Sequence, residues 1–407
     1  SVARADGNTV LLGPEYETES SSSPHRRGGK FGPLKRISVR VWYGRCATAN
    51  VLVGGRYQGL GSAPKLTLSE PRGLSMLQVC ITRVFHRSSE PTRRRLARAC
   101  PVLVNAALVL AAKIASGEID SGIAAGSDTV SDSPIVFGNK FQHRLLDVNK
   151  ARSTGEKVKA FKGFSFGELT PVAPSVNEPR TGLSMGQHCE LMAREWGITR
   201  QAQDELAVAS HRNAAKAYDE GFHDDLLVQC AGLVRDNNVR ADANLEKMAT
   251  LKPAFDKSSG HGTLTAGNST PLTDGASAVL LAREDWAKAH GLPILAYLTT
   301  GRVAGNDFAH GEGLLMAPTI AVSEMLARKG LGFGDIDYFE LHDAFAAQVL
   351  CTMKAWNDPD YCRDVLGREA VLGEIDRDRL NVKGSSIAYG HPFAATGARI
   401  LGVAAKL

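Results

Sequence analysis

The segment that most constrains the fold is residues 381–399, Asn-Val-Lys-Gly-Ser-Ser-Ile-Ala-Tyr-Gly-His-Pro-Phe-Ala-Ala-Thr-Gly-Ala-Arg. It places His391 between a glycine and a run of small residues that favours a helix. Gly390 permits a tight bend of the backbone, and Pro392 suits the first turn of a helix. The pattern therefore predicts a buried imidazole at a junction between a loop and a helix. It also fits a histidine with a structural role, so a chemical function needs a partner elsewhere in the chain.

A second segment supplies a candidate partner. Residues 335–341 form a short, mainly apolar run that is typical of a strand, and His342-Asp-Ala-Phe345 follows directly. A helical pattern then extends from Ala346 to Ala355. In open α/β sheets, ligands bind beyond the carboxyl ends of strands. His342 occupies such a position, so we expect it to face a binding site.

Two further segments complete a set of four motifs in a fixed order. One is the glycine-rich run from Gly262 to Ala276, and the other is Thr181-Gly-Leu-Ser-Met-Gly186. With these motifs the sequence resembles the thiolases, which cleave or form 3-ketoacyl-CoA. The resemblance extends from about residue 98 to 407 and is strongest to the thiolase subunit of fatty-acid oxidation complexes. Residues 342–345 resemble the family's Asn/His-Glu-Ala-Phe motif, with Asp in place of Glu.

The resemblance implies an α/β fold, in which two duplicated halves form a five-layer α-β-α-β-α sandwich and an inserted loop domain covers CoA. Local patterns are consistent with alternating strands and helices. Val102 to Ser116 predicts a buried helix that ends at Gly117, and Thr199 and Gly221 bound an amphipathic helix. We expect five regions, the last of them truncated: a tail (1–36), the N-terminal half (37–150), the loop domain (151–254), a return to the N-terminal half (255–285) and the C-terminal half (286–407).

The resemblance also implies the catalytic residues. Cys100, in Arg-Ala-Cys, precedes the predicted buried helix, and a helix N-terminus favours a thiolate. In the family mechanism Cys100 attacks the 3-keto carbon, acetyl-CoA leaves, and a second CoA takes the acyl group. His391 is the general base, and His342 holds a water that stabilises the developing oxyanion. The alternative for Cys100 is a buried residue without reactivity.

Three more residues are implied to contact the substrate or CoA: Met185, Thr270 and Gly390. The sequence departs from the family after the nucleophile, where residues 101–104 are Pro-Val-Leu-Val in place of small residues. Bulky side chains there would occupy space that the thioester needs.

The family carries a second reactive cysteine in a Cys-x-Gly motif beyond the Gly-His-Pro motif, whereas this sequence stops at Leu407. Some relatives place a cysteine in the motif around His342, but here that position is Ala344. Neither Cys351 nor Cys362 has a spacing that suggests a substitute. We favour the hypothesis of a fragment of an active thiolase. The alternative is a thiolase-like protein that binds CoA without turnover.

The first 95 residues lack the opening strand and the Arg-Thr-Pro-Phe type of signature found in thiolases. Residues 1–100 carry a net charge of +11 and the remaining 307 residues a net charge of −6. A shifted or mispredicted reading frame is our hypothesis for this region. Basic clusters such as residues 93–95 lack the interleaved aromatic side chains on which bases stack, so we expect no binding to nucleic acid.

The remaining expectations concern ligands, partners and location. No run of eighteen apolar residues occurs, so we expect no membrane span. The histidines lack the spacing of zinc ligands, so we expect no metal. The resemblance implies CoA as a substrate, no tightly bound cofactor, a homodimer or homotetramer, a hydratase/dehydrogenase subunit as a further partner, and a cytoplasmic or, alternatively, mitochondrial location. A competing hypothesis is a β-ketoacyl synthase, since Cys100, His342 and His391 match its Cys-His-His set.

Overall fold

The computed structural model describes residues 2–3, 10–11, 37–44, 79–81, 102–132, 136–172, 177–230, 232–311 and 313–407, with side chains from residue 103 onward. The predicted nucleophile Cys100 lies outside these residues. The strands are β1 (Val2–Ala3), β2 (Val10–Leu11), β3 (Ile37–Gly44), β4 (Val79–Ile81), β5 (Ser121–Asp128), β6 (Val136–Phe137), β7 (Pro171–Val172), β8 (Leu227–Val228), β9 (Gly275–Arg283), β10 (Ala296–Thr300) and β11 (Tyr338–Phe339).

The α-helices are α1 (Val102–Ser116), α2 (Asn139–Lys150), α3 (Thr154–Ala160), α4 (Met185–Glu195), α5 (Arg200–Asp219), α6 (Leu245–Ala249), α7 (Glu284–Ala289), α8 (Ala317–Lys329), α9 (Ala346–Trp356), α10 (Pro359–Asp364), α11 (Ser386–Tyr389) and α12 (Thr396–Lys406). Short 3₁₀ helices span Phe166–Leu169, Phe308–His310, Phe333–Asp335 and Arg377–Arg379. Within the described part of the chain, no helix is both long and apolar enough to cross a membrane.

The main sheet is organised around β9, which pairs antiparallel with β3 on one side and β5 on the other. Strand β4 continues the sheet beside β5, and β10 continues it beside β3. Along β9, Ser277, Val279 and Leu281 are buried and alternate with half-buried residues. This period of two points one set of side chains toward a common face of the sheet. That face receives two helices.

Helices α1 and α12 cover this face of the sheet and contact each other. Their buried residues form one apolar cluster with Val279 and Leu281, to which α1 contributes Leu110 and Ile114. Helix α1 ends at Gly117, which has a φ of 79°. The prediction of a buried helix from Val102 to Ser116 with a glycine at its end is confirmed.

A second group of helices surrounds a separate apolar cluster formed by α5, α8 and α9. The hydroxyl of Thr199 accepts the backbone N–H of Ala202 at 3.2 Å and caps α5, and Gly221 follows the helix with a φ of 68°. Both predicted ends of this helix are confirmed. Leu206 and Trp356 lie in the cluster, so α5 is anchored to the C-terminal part of the chain.

The segment after His391 differs from the sequence prediction. Pro392 does not lie in the first turn of a helix, because α12 begins only at Thr396. Residues 392–395 instead form a turn, in which the Pro392 carbonyl accepts the N–H groups of Ala395 at 2.9 Å and Thr396 at 3.1 Å. This turn brings the Thr396 side chain back toward His391.

His211 provides a test of how burial in α5 affects stability. Its side chain is 6% exposed, and Nδ1 accepts the backbone N–H of Arg240 at 3.2 Å. Burial, assisted by the charge of Arg240, lowers the pKa of His211 from 6.5 to about 4. The folded protein therefore holds the neutral imidazole. Its contribution to stability is fully present above pH 6.5 and is lost as the pH falls toward 4.

We expect His211→Asn to reduce the loss of stability in acid. Between about pH 7.5 and 5, His211 binds a proton in the unfolded wild-type chain but not in the folded protein. This lowers the free energy of unfolding by on the order of 2 kcal/mol. The asparagine variant cannot bind this proton. The difference in unfolding free energy between the wild type and the variant should therefore change by that amount between the two pH values. Urea denaturation at both pH values measures it. An unchanged difference would show that His211 titrates normally.

Candidate active site

The two histidines of the sequence motifs lie side by side. His342 follows the end of β11 by three residues, and His391 directly precedes the turn that leads into α12. Their ring centroids are 4.2 Å apart, and the ring planes are inclined by 54°. His391 is 4% exposed, whereas His342 is half-buried. The structure therefore brings together two imidazoles that are separated by almost fifty residues in the sequence.

The spacing of these histidines is set by backbone hydrogen bonds to residues 268–272, which we call the bridging segment. The N–H of Thr270 donates to the carbonyl of Ala344 at 2.8 Å, beside His342. The carbonyl of Pro271 accepts the N–H of His391 at 3.0 Å. The bridging segment thus lies between the two motifs and bonds to both.

His391 has a side-chain partner on the helix that follows it. Its Nδ1 lies 2.6 Å from Oγ1 of Thr396, and the Thr396 hydroxyl lies 3.0 Å from the carbonyl oxygen of Pro392, to which it can only donate. The ring also contacts Phe393 edge to face, with centroids 4.8 Å apart. These contacts fix the orientation of the imidazole.

His342 is held on its Nδ1 side by Ser386. The Nδ1 atom lies 2.7 Å from Oγ of Ser386, and Nη2 of Arg399 donates to the same oxygen at 2.8 Å. Ser386 is fully buried and Arg399 is 3% exposed. A chain of polar side chains therefore extends from α12 to the ring of His342.

Both imidazoles are neutral near neutral pH. Burial lowers the pKa of His391 to about 3, and the positive charge of Arg399 contributes to the shift. Burial also lowers the pKa of His342 well below its usual range, with further contributions from His391 and Arg399. An imidazole must be unprotonated to accept a proton, and both rings meet that condition.

Asp343 connects the site to α5. Its side chain is fully buried; one carboxyl oxygen accepts the hydroxyl of Ser210 at 2.8 Å and the other accepts the N–H of Ile387 at 3.0 Å. Burial raises the pKa of Asp343 to about 6, and these hydrogen bonds oppose the increase. Asp343 therefore joins the His342 loop to α5 and to α11.

Two of the three predicted contact residues, Thr270 and Gly390, lie beside the histidine motifs, and the third, Met185, lies at the start of α4. Thr270 lies on the bridging segment, and its hydroxyl donates to the carbonyl of Ser386 at 2.6 Å. Gly390 is buried next to His391 with a φ of 88°. Met185 is half-buried at the start of α4 and packs against the apolar cluster that includes Phe345.

The first turn of α1 approaches the segment after His391. A Cβ atom at Gly126 would lie 1.9 Å from the carbonyl oxygen of Ala394 and 2.7 Å from Cδ1 of Leu103. Only glycine fits between these groups, because real Cβ contacts are never so short. The beginning of α1 and the turn after His391 therefore meet at the same point of the sheet.

Three cysteines among the described residues are buried thiols: Cys189, Cys351 and Cys362. Burial raises the pKa of Cys351 to about 12 and that of Cys189 well above its usual range. The thiol of Cys362 lies 3.4 Å from the carbonyl oxygen of Trp356. A raised pKa suppresses the thiolate, so Cys189 and Cys351 have the properties of packing residues.

Sequence comparison decides the family. Residues 89–285 match the model of the thiolase N-terminal domain, and residues 292–407 match that of the thiolase C-terminal domain. The chain belongs to the thiolase family. It is 44% identical over 312 residues to a 3-ketoacyl-CoA thiolase of Serratia proteamaculans, and the match covers 75% of this chain and 71% of the relative. A 3-ketoacyl-CoA thiolase of Pectobacterium carotovorum is 45% identical over 312 residues, covering 75% and 70% of the two chains.

Solved thiolase structures agree with this assignment. The human mitochondrial 3-ketoacyl-CoA thiolase in complex with CoA has a TM-score of 0.59 and 25% identity, over 76% of this chain and 69% of the human one. A thiolase of Ascaris suum in complex with coenzyme A has a TM-score of 0.60 and 26% identity, over 76% and 72%. The predicted family and the predicted α/β thiolase fold are confirmed, and this thiolase belongs to a family of acyltransferases.

Several polar residues of this thiolase were missed by the sequence analysis: Asp343, Ser386, Thr396 and Arg399. The available signal was the occurrence of polar side chains within runs of small and apolar residues, where an unpaired polar group would be costly. All four are buried.

Proposed function

We propose that this thiolase transfers an acyl group between a 3-ketoacyl-CoA and CoA. Cleavage gives acetyl-CoA and a shortened acyl-CoA, and the reverse reaction is a Claisen condensation. The observation that carries the proposal is the pair of adjacent imidazoles, His342 and His391, whose ring centroids are 4.2 Å apart. The names of the bacterial relatives and the CoA complexes of the solved structures support the substrate class.

The proposed cleavage proceeds through an acyl-enzyme on Cys100. His391 takes the thiol proton, the thiolate attacks the 3-keto carbon, and the bond between C2 and C3 breaks. The enolate of acetyl-CoA leaves and takes up the proton that His391 carries, and His391 then takes the proton of the incoming CoA thiol and returns it to Cys100. The thiol of a second CoA then attacks the acyl-enzyme, releases the acyl-CoA and returns Cys100 to its thiolate or thiol form. Each attack on a carbonyl creates an oxyanion that must be stabilised.

The hydrogen bonds of His391 support its role as the base. The Thr396 hydroxyl has a single proton, which it can donate to the Pro392 carbonyl. Its oxygen then accepts a proton from Nδ1 of His391. This arrangement assigns the proton of the neutral ring to Nδ1 and leaves Nε2 as the basic nitrogen. The assignment follows from the hydrogen-bond network, as tautomers generally must.

The position of α1 supports Cys100 as the nucleophile. The helix begins at Val102, two residues after Cys100, and a Cβ atom at Gly397 would lie 3.2 Å from Cβ of Leu103, so the first turn of α1 packs against the start of α12. The N–H groups at the start of a helix stabilise a nearby anion. A thiolate close to this end of α1 would therefore lie near the segment that carries His391.

The remaining site assignments extend the same proposal. His342 would hold a water at the oxyanion site, while Thr270 and Gly390 would line the path of the CoA arm beside the histidines. Met185 would contact the acyl chain through the apolar cluster at the start of α4. The division into two thiolase halves at residues 37–150 with 255–285, and 286–407, with a loop domain at 151–254, belongs to this proposal too.

Trapping the acyl-enzyme tests the proposed function. The full chain is incubated with acetyl-CoA or acetoacetyl-CoA without free CoA, quenched in acid and analysed by peptide mass spectrometry. We expect an acetyl group on Cys100 with either substrate, and its removal when CoA is added before the quench. The Cys100→Ser variant should not carry the thioester, and His391→Gln should form it much more slowly. Labelling of another cysteine would refute the proposed nucleophile.

The choice of acyl carrier separates thiolase from β-ketoacyl synthase. The Cys-His-His set fits both classes, whereas the family match favours thiolase. We expect cleavage of acetoacetyl-CoA that depends on CoA, and no condensation with a malonyl group on acyl-carrier protein. Binding of CoA without cleavage or labelling would instead identify a thiolase-like binding protein.

Assembly and location are proposed from the family resemblance alone. We propose a homodimer or homotetramer in the cytoplasm, with a hydratase/dehydrogenase subunit as a partner in fatty-acid oxidation. The bacterial relatives support a cytoplasmic rather than a mitochondrial location. Size-exclusion chromatography with light scattering measures the oligomeric state, and co-purification with the dehydrogenase subunit tests the complex.

A further inference from the structure

We propose that Ser386 and Arg399 are positioning residues that hold His342 with its proton on Nε2. This inference rests on the proposed thiolase function, because it concerns the group that would hold the oxyanion water. Only a ring with a proton on Nε2 can donate a hydrogen bond from that nitrogen while Nδ1 remains bound to Ser386. The tautomer therefore decides whether His342 presents a donor or an acceptor.

The direction of the hydrogen bonds follows from the charge of Arg399. A guanidinium can only donate, so Ser386 Oγ accepts the bond from Nη2 at 2.8 Å. Ser386 is fully buried, and among the described residues the other side-chain partner of its hydroxyl is Nδ1 of His342 at 2.7 Å. Donation to Nδ1 satisfies the hydroxyl proton. The opposite direction would leave a buried O–H group without an acceptor, which is unfavourable.

The two histidines are thereby held in opposite tautomers. On His391, Thr396 can accept a proton from Nδ1, whereas on His342 Ser386 donates a proton to Nδ1. A hydroxyl partner is present in both cases, but its proton is directed differently, toward Pro392 in one case and toward His342 in the other. The pair then offers one basic nitrogen and one N–H donor. Removal of a thiol proton and stabilisation of an oxyanion require these two properties.

Arg399 is well placed to keep this arrangement fixed. Its guanidinium is 3% exposed, lies 5.5 Å from the ring centroid of Tyr389 and approaches Ser385 as well as Ser386. Its position is therefore restricted by packing. Its positive charge also disfavours protonation of both histidines, so that neither ring becomes an imidazolium in the resting site.

A double-mutant cycle with His342→Asn tests the proposal. An asparagine amide presents N–H donors and has no alternative tautomer. In the His342→Asn variant, Ser386 therefore has no tautomer to select. We expect Ser386→Ala to lower kcat about ten-fold in the wild-type chain, corresponding to one hydrogen bond of about 1.4 kcal/mol, with KM little changed. In the His342→Asn background, the same substitution should lower kcat less than about two-fold. Equal losses in both backgrounds would show a merely structural role and overturn the proposal.

Ser385→Ala is the matched control. Ser385 is also fully buried, and its hydroxyl donates to the carbonyl of Leu341 at 3.0 Å rather than to His342. Its removal deletes a neighbouring hydroxyl without deleting the donor to Nδ1. The control variant should give equal changes in kcat in the two backgrounds, unlike Ser386→Ala.

The tautomer itself is measured independently of activity. In the full chain labelled with ¹⁵N-histidine, the His342 signals are identified by their absence from His342→Asn. We expect an unprotonated Nδ1 and a protonated Nε2 in the wild-type protein, and a mixture of tautomers in Ser386→Ala. A proton on Nδ1 in the wild type would overturn the inference even if the enzyme is an active thiolase. The expected tautomer in a protein without thiolase activity would leave the hydrogen-bond assignment intact and refute the proposed function.

Discussion

His391→Gln is expected to lower kcat for cleavage of acetoacetyl-CoA by about 10²- to 10⁴-fold, the usual contribution of a general base. Glutamine can keep a hydrogen bond to Thr396, but its amide cannot accept the thiol proton of Cys100. The pKa of His391, lowered to about 3 by burial and Arg399, ensures that the wild-type imidazole is the neutral, accepting form. The loss of 3-ketoacyl-CoA in the presence of CoA gives the rate.

The control for this substitution is His261→Gln. His261 lies in an exposed loop, away from the histidine pair, and its N–H is bonded to Ser259. This variant should retain the wild-type rate within about two-fold. If His391→Gln retained a rate within ten-fold of the wild type, another residue would have to act as the base. The unfolding free energy of both variants should be measured, so that a loss of folding is not taken for a loss of catalysis.

Gly390→Ala is expected to destabilise the protein by about 2–6 kcal/mol and to abolish most activity. Gly390 has a φ of 88°, and a Cβ atom there would lie 2.4 Å from Cγ2 of Thr273 and 2.8 Å from Nδ2 of Asn238. The substitution therefore adds backbone strain of about 1–3 kcal/mol to an overpacking cost of about 1–3 kcal/mol. Relief of the clash would displace His391, the next residue. Urea denaturation and the cleavage assay measure the two effects.

Gly291→Ala separates strain from overpacking. Gly291 also has a positive φ, 63°, but no heavy atom lies within 4 Å of the position that its Cβ would take. We expect this variant to lose about 1 kcal/mol of stability, the cost of a left-handed conformation for alanine, and to retain activity. Similar losses for the two variants would mean that the surroundings of Gly390 adjust to a methyl group.

The elements with strong local signals were predictable from the sequence. Helix α1 has apolar residues nearly all round and a glycine after its end, and α5 has Thr199 as its cap. The start of α12 was predicted four residues too early, because Pro392 is sterically suited to a first helical turn. The carbonyl of Pro392 instead closes a turn before Thr396, and this choice depends on hydrogen bonds that the sequence does not display.

The histidine pair was predictable only through the family resemblance, and its supporting residues were not predicted. Ser386 and Arg399 are thirteen residues apart in the chain. The contact of Arg399 with Ser386, and of Ser386 with His342, requires α11 and α12 to be packed beside the end of β11. Asp343 stands in the motif around His342, but its supporting role was not predicted, because its bond to Ser210 joins residues that are 133 positions apart. Such contacts depend on tertiary packing and have no periodic signature in the sequence.

The bridging segment has a consequence for how substrate preference can change. It joins the two histidine motifs through main-chain groups, which every residue type except proline can supply as both donor and acceptor. Leu272 has an exposed side chain, so it can be exchanged while the main-chain bonds, and with them the separation of the imidazoles, are kept. In engineering terms, the surface next to His391 can be reshaped at Leu272 without resetting the geometry of the histidine pair, whereas Thr270 makes a side-chain hydrogen bond to Ser386 that has to be kept.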